Sequence, residues 1–231
     1  MERKKYCIFA CGGHGTRMGG SVPKQFLRLG DRTILQHSIE KVLDAVPDVH
    51  VVVVLPDECR EFWSKECRES NITVPQTVVP GGITRFHSVK NALEKIPDNA
   101  VVAVHDGVRP FAGKEMIAEL FEAVQSVPAV VPVIPVVDTL KVLDGSLCEK
   151  EGRSADRSEL FGAQTPQLFW SETIKAAYRQ PYDTGFTDDA SVVRALGVNV
   201  KYVPGERYNI KITTPEDLLL ARALLSTLRG L

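Results

Sequence analysis

Apolar residues in this chain come in short unbroken runs, separated by stretches with helical spacing. YCIFAC (6–11), VHVVVVL (49–55), TVPQTVV (73–79), VVAVH (101–105) and AVVPVIP (129–135) predict strands, several of them apolar on both faces. Such runs are expected where helices cover both sides of a mainly parallel sheet. Between them, TILQHSIEKVLDA (33–45), DECREFWSKECRES (57–70), TRFHSVKNALEKI (84–96) and KEMIAELFEAVQS (114–126) repeat their apolar positions at helical intervals. Strand and helix alternate, so the pattern predicts a doubly wound α/β sheet.

After Pro135 the rhythm changes. Residues 136–169 are polar, with turn signals at Asp144-Gly145 and Glu151-Gly152. They predict a β-hairpin that leaves through TLKVL and returns near RSELFGAQ. A hairpin projecting alone exposes strand edges and apolar side chains, a liability that packing against a second copy removes. A helix is expected over TDDASVVRALG (187–197), with Thr187 placed to cap it and Gly197 to stop it. A strand over 198–205 comes next. The last helix opens on TPED, where Thr214 caps, Pro215 takes the first turn and Asp217 stands at the reciprocal position.

Length and charge narrow the classes. A chain of 231 residues, 44% hydrophobic, is large enough for one α/β domain with a substantial core. A net charge of -1 and a pI near 6.5 argue against a general nucleic-acid or membrane-surface binder and leave room for a local basic pocket. No apolar run approaches a bilayer span, and the short apolar stretch after the basic N-terminus reads as a first strand, not a signal peptide. Cys7, Cys11, Cys59, Cys67 and Cys148 form no CxxC pair, which points away from a zinc site or a disulfide framework. A reducing, cytoplasmic setting is expected, with Cys7 and Cys11 buried.

Ligands of open α/β sheets lie at the carboxyl ends of the strands, and five segments fall there. In the first, five glycines (Gly12, Gly13, Gly15, Gly19 and Gly20) crowd around Arg17, and Lys24 follows. Glycine lets backbone N–H groups turn inward on an anion, and the two cations add charge where phosphate oxygens would sit. The alternative is a plain glycine-rich turn with solvated cations. The loop lacks the Lys-Ser/Thr ending of a P-loop, and Met18 stands where a dinucleotide fingerprint has its third glycine, so neither of those classes fits. The second segment, PGGITRFHSV (80–89), is a glycine turn leading into a helix that starts with Arg85. Its backbone groups, at Gly82, and the Ser88 hydroxyl are offered to a base edge, and the alternative is a plain strand–helix turn with an exposed arginine. The third, VHDGVRPF (104–111), offers Asp106, to accept a hydroxyl proton or reach a metal through water, and Arg109, to hold a phosphate or Asp106 itself. The hairpin carries Asp138, Thr139, Arg157 and Thr165, which alone read as solvated surface, and Lys211 lies on an apolar strand before the last helix. The five histidines read as packed or solvent-facing, and no GxSxG elbow or HExxH is present.

GGHGTRMG…PKQFL, PGGITR..SV, VHDGVRPF, DTLK, DR…QTPQLF, TDDAS and NIKITTPEDL occur in order over almost the whole chain. Together they make it resemble the 2-C-methyl-D-erythritol 4-phosphate cytidylyltransferases of the non-mevalonate isoprenoid pathway. The resemblance implies a single-domain, Rossmann-like, mainly parallel sheet of the nucleotide-diphospho-sugar transferase type, with a projecting hairpin arm over about 136–165. It implies a reaction joining CTP to a sugar-alcohol phosphate with release of pyrophosphate. Mg²⁺ would be held largely by the triphosphate, with no protein ligand assigned. By the same resemblance Gly12, Gly13, Gly15, Gly82 and Ser88 bind the nucleotide, and Arg17 and Lys24 stabilise the transition state. Asp106, Arg109, Thr165 and Lys211 face the alcohol phosphate. The hairpin would cross to the partner of a homodimer, so that Thr139 and Arg157 act in trans. Ribitol-5-phosphate cytidylyltransferases share most of these segments. CGG at 11–13 is nearer their type, whereas ITRFHSV, VHDGVRPF and IKITTPEDLLLA are nearer the erythritol type. A third reading, a nucleotide-binding regulatory subunit without chemistry, is disfavoured by Arg17, Lys24, Arg157 and Lys211 occurring together.

Overall fold

The structure is a computed structural model that describes residues 3–12, 22–142 and 153–229. The chain starts with β1 (Lys4–Ala10), a small ribbon of β2 (Arg28–Leu29) and β3 (Arg32–Thr33), and α1 (Ile34–Ala45). Strand and helix then alternate through β4 (His50–Leu55), α2 (Asp57–Glu69), β5 (Gln76–Pro80), α3 (Arg85–Leu93), β6 (Ala100–Asp106), α4 (Lys114–Ala123) and β7 (Ala129–Pro135). After β7 come β8 (Lys141–Val142), β9 (Arg153–Ser154), β10 (Phe161–Ala163), β11 (Gln167–Trp170), α5 (Ser171–Ala177), α6 (Asp189–Ala195), β12 (Lys201–Pro204) and α7 (Pro215–Arg229).

The main sheet runs β7-β11-β6-β1-β4-β5, and β10 and β12 both pair with β7. β1, β4, β5 and β6 are mutually parallel neighbours, while β11 enters antiparallel between β6 and β7. The architecture is thus the mainly parallel α/β sheet that the pattern predicts. Side chains alternate across the strands, which splits the core in two. Cys7, Phe9, Val51, Val53, Val101 and Ala103 pack on one face against residues of α1, α2 and α4. Ile8, Val52, Val54, Val102 and Val104 pack on the other against residues of α3, α5 and α6. Both faces being covered is why these strands carry no polar alternation.

Several boundaries differ from expectation. The helix expected to be capped by Thr187 is capped by Asp188, whose carboxylate accepts from the Ser191 amide at 2.8 Å while the Asp188 amide donates to the Ser191 hydroxyl at 3.1 Å. Asp188 takes the role because a carboxylate one residue later reaches the third amide of the helix. Gly197, at φ 83°, follows the helix as its stop. At α7 the reciprocal cap is present: Asp217 donates its amide to Thr214 Oγ1 and accepts from the Thr214 amide.

The hairpin returns differently from the prediction. Lys141–Val142 pair with Arg153–Ser154 as β8 and β9, whereas the FGA of the expected return pairs with β7 in the main sheet. Amides of Val136 and Ala155 donate to the carbonyls of Leu160 and Leu140 and continue the ladder between these pairs. The turn signals at 144–145 and 151–152 lie outside the described residues.

Candidate active site

Parallel strands leave the sheet at their carboxyl ends, and an antiparallel neighbour enters there. The ends of β1, β5 and β6 and the start of β11 therefore meet on one edge, which gathers Gly12, Gly82, Asp106 and Thr165. Two backbone bonds carry the ladder past the strands: the Cys11 amide donates to Val54 at 3.1 Å and the Gly81 amide to Leu55 at 2.8 Å.

Gly12, Gly82 and Ser88 form one unit. The Ser88 hydroxyl accepts from the Gly82 amide and donates to the Thr84 carbonyl, both at 3.0 Å. A Cβ on Gly12 would lie 2.6 Å from that hydroxyl oxygen, and one on Gly82 would run into His87. Glycine is needed at Gly12 because two chain segments touch there, and at Gly82 because the turn folds back on the start of its own helix. Lys24 donates to the Ile212 carbonyl at 3.3 Å, which places the end of the first loop beside the segment that carries Lys211. Gly13, Gly15 and Arg17 lie outside the described residues.

Asp106 is the centre of the second unit. Lys211 Nζ lies 2.9 Å and Arg109 Nε 3.4 Å from its Oδ2, and Arg85 Nε lies 3.6 Å from its Oδ1. Burial alone would raise the pKa of this carboxyl, but Arg85, Lys211 and Arg109 together hold it well below the usual carboxylate range. Arg109 also donates to the Asn209 carbonyl at 2.7 Å, and burial pulls its own pKa down against the pull of Asp106.

Behind Asp106 lies a neutral relay. His105 Nε2 meets the Arg109 carbonyl at 3.3 Å and Nδ1 meets the Thr165 hydroxyl at 2.9 Å. A carbonyl only accepts, so Nε2 carries the proton and Nδ1 accepts from Thr165. Burial pushes the His105 pKa down to about 4, which keeps the ring neutral. Thr165 Oγ1 accepts in turn from the Asp106 amide at 3.0 Å. Thr165 is buried and its proton is engaged, so it anchors the backbone of Asp106 and the loop after β6 from behind.

The sequence placed Arg85 at a helix start, with an exposed arginine as the plain reading, and gave it no partner. Its guanidinium grips Asp189 through both oxygens, at 2.9 and 2.7 Å, and the Tyr178 hydroxyl donates to the same carboxylate at 2.5 Å. Asp189 is fully buried. Gln167 ties this helix start to β11, donating to Asp188 at 2.8 Å and accepting from the Ala190 amide at 2.9 Å. The signal was present in TDDAS: one acid caps the helix, so the second is left for another partner.

Thr139 and Arg157 are exposed on the hairpin. Arg157 donates to the Val137 carbonyl at 2.8 Å, and among the described residues no hydrogen bond or ion pair joins either to Asp106 or its cations. No group of three or more His, Cys, Asp or Glu side chains among the described residues could hold a metal ion.

A mainly parallel doubly wound sheet with a glycine turn and a cluster of cations around one carboxylate at its carboxyl edge defines a Rossmann-like α/β protein with a charged site where such sheets take their ligands. The model of the 2-C-methyl-D-erythritol 4-phosphate cytidylyltransferase family matches residues 6–227, and the chain belongs to that family. It is 44% identical over 222 residues to the protein of that name from Bacteroides thetaiotaomicron, covering 96% of this chain and all of the relative. Identity to the one from Phocaeicola vulgatus is 42% over 221 residues, covering 96% of this chain and 99% of the relative. The crystal structure of the enzyme from Thermus thermophilus superposes with a TM-score of 0.77 at 35% identity, over 98% of this chain and 100% of that one.

Proposed function

We propose that this protein transfers a cytidylyl group from CTP to 2-C-methyl-D-erythritol 4-phosphate in isoprenoid biosynthesis. Family membership over nearly the whole chain carries the reading. An oxygen of the acceptor phosphate attacks the α-phosphorus of CTP, the bond from that phosphorus to the β-phosphate bridge breaks, and pyrophosphate leaves. The acceptor phosphate carries about -1.5 to -2 charges near neutral pH, so it must approach a triphosphate that is also anionic. Positioning and charge compensation therefore carry the rate.

Three regions divide that work. Gly12, Gly82 and Ser88 hold the nucleotide, with Gly13 and Gly15 on the same loop. Lys24 and Arg17 offset charge as the α-phosphorus gains its fifth oxygen. Lys211 and Arg109, set by Asp106, take the acceptor phosphate, and Thr165 holds the backbone beneath them. Both oxygens of Asp106 already face cations, so this carboxylate suits an ion-pair role rather than direct metal ligation. Mg²⁺ fits as part of the substrate, on the triphosphate oxygens, where it neutralises charge.

The arm supports a homodimer. Val137, Leu140, Val142 and Phe161 expose large apolar surface along it, which a second copy would cover. Thr139 and Arg157 would then serve the partner's site. Cys7, Cys11, Cys59 and Cys67 are free, which suits a reducing cytoplasm, and Cys148 lies outside the described residues. No helix among the described residues is long and apolar enough to cross a membrane.

Pyrophosphate release tests the reading. It should require both CTP and the methylerythritol phosphate, and release from CTP alone, or none with both, would overturn it.

A further inference from the structure

Arg85 starts α3, directly after the turn assigned to the nucleotide, yet its guanidinium is placed between two carboxylates. Two of its N–H groups lie on Asp189, at 2.9 and 2.7 Å, and Nε lies 3.6 Å from Asp106 Oδ1. Asp189 is itself fixed. It has no solvent exposure and receives the Tyr178 hydroxyl at 2.5 Å. A planar guanidinium held bidentate has little freedom to turn, so its third edge is aimed by the first two contacts.

The two oxygens of Asp106 therefore face different groups. Oδ1 faces Arg85, while Oδ2 faces Lys211 at 2.9 Å and Arg109 at 3.4 Å. A carboxylate with a cation beside each oxygen turns only by drawing one oxygen away from its cation. Three cations against two carboxylates also leave one positive charge in excess at the edge where an anion would bind.

We propose that Arg85, clamped by Asp189 and Tyr178, is a positioning residue for the transfer reaction. It holds Oδ1 of Asp106 so that Oδ2 keeps Lys211 and Arg109 in place for the phosphate of the acceptor alcohol. The inference rests on the assignment of the Asp106 cluster to that phosphate. The opposing role, base contact by Arg85, would follow from its place at the start of α3 beside the nucleotide turn and predicts a loss of CTP affinity instead.

Steady-state kinetics with each substrate varied separates the two. Arg85→Lys keeps the charge but loses the fork, and Asp189→Asn frees the fork. Each should raise KM for the acceptor about tenfold or more, the range for losing a charge-assisted hydrogen bond, while KM for CTP stays within about twofold. Tyr178→Phe removes only the bond that orients Asp189 and should move the same constant about threefold in a protein that is less stable but still folded, so it carries the test if Asp189→Asn fails to fold. Millimolar guanidinium should restore part of the acceptor affinity of Arg85→Ala, which a merely structural loss would not allow. Asp106→Asn is the reference. If it raises KM for the acceptor while Arg85→Lys and Tyr178→Phe do not, or if those variants raise KM for CTP, the positioning role is overturned. If Asp106→Asn raises KM only for CTP, the assignment of the cluster falls, and the inference with it.

Discussion

Gly12 and Ser88 leave no room for a side chain between them: a Cβ at Gly12 would stand 2.6 Å from the Ser88 hydroxyl oxygen and 3.3 Å from its Cβ. That hydroxyl holds the Gly82 amide, so the turns after β1 and β5 are set by one oxygen. Gly12→Ala should force the hydroxyl away and loosen the Gly82 turn, raising KM for CTP about tenfold with the acceptor KM little changed. Ser88→Ala should act in the same direction. Because both changes strike one contact, the double variant should be far less impaired than the product of the two. Multiplying effects in the measured CTP constants would mean that the two turns are set independently.

Acid should weaken the fold through His105. Its pKa is lowered from the ordinary 6.5 to about 4 by burial, so between those values the unfolded chain binds a proton that the folded chain refuses. Stability contributed by the neutral ring is full above the unfolded pKa and falls as pH drops toward the folded one. Between pH 7 and pH 5 the loss is about 2 kcal/mol, read as a lower urea midpoint. His105→Gln should be less stable at pH 7 and lose less over the same interval. Equal slopes in both proteins would mean that other groups cause the dependence. The carboxyl of Asp106, lowered instead, protects the fold above the ordinary carboxylate pKa and loses that effect only at more acid pH, below this window.

Lys24 and Arg157 test the shared site. Lys24→Ala should lower kcat about 10²–10³-fold if the lysine acts on the transition state. Arg157→Ala should also inactivate. In a dimer with exchanged arms, mixing the two inactive proteins and allowing subunit exchange gives mixed dimers in which one site carries both lesions and the other neither. Random exchange should restore about a quarter of wild-type activity. Mixed dimers confirmed by tagged chains and still inactive would place both residues in the same chain's site.

What the chain reveals on reading follows from range. HVVVVL and AVVAVHD sit under helices on both faces, so their composition alone announces buried strands. Thr33, Thr84 and Thr214 begin helices by hydrogen bonds that close within three residues, and these are local signals. Asp106 and Arg109 were legible as end-of-strand candidates, whereas Lys211, expected on a strand, lies in the strandless segment between β12 and α7, and folding brings the three together. TDDAS signals an acid in need of a partner, but that the partner is Arg85 was not legible, because 104 residues separate the two and only the sheet order makes them neighbours. The hairpin misled for a different reason. β10 has three residues, too few to show a period, and β7 is apolar along most of its length, so neither strand specifies its register.

The choice of acceptor is tested most directly by competition. Limiting CTP with Mg²⁺ is offered to equal amounts of 2-C-methyl-D-erythritol 4-phosphate and ribitol 5-phosphate, and the CDP-alcohols formed are quantified by mass spectrometry. The product should be almost wholly the cytidylyl derivative of methylerythritol. A mixture dominated by CDP-ribitol would contradict the proposed function.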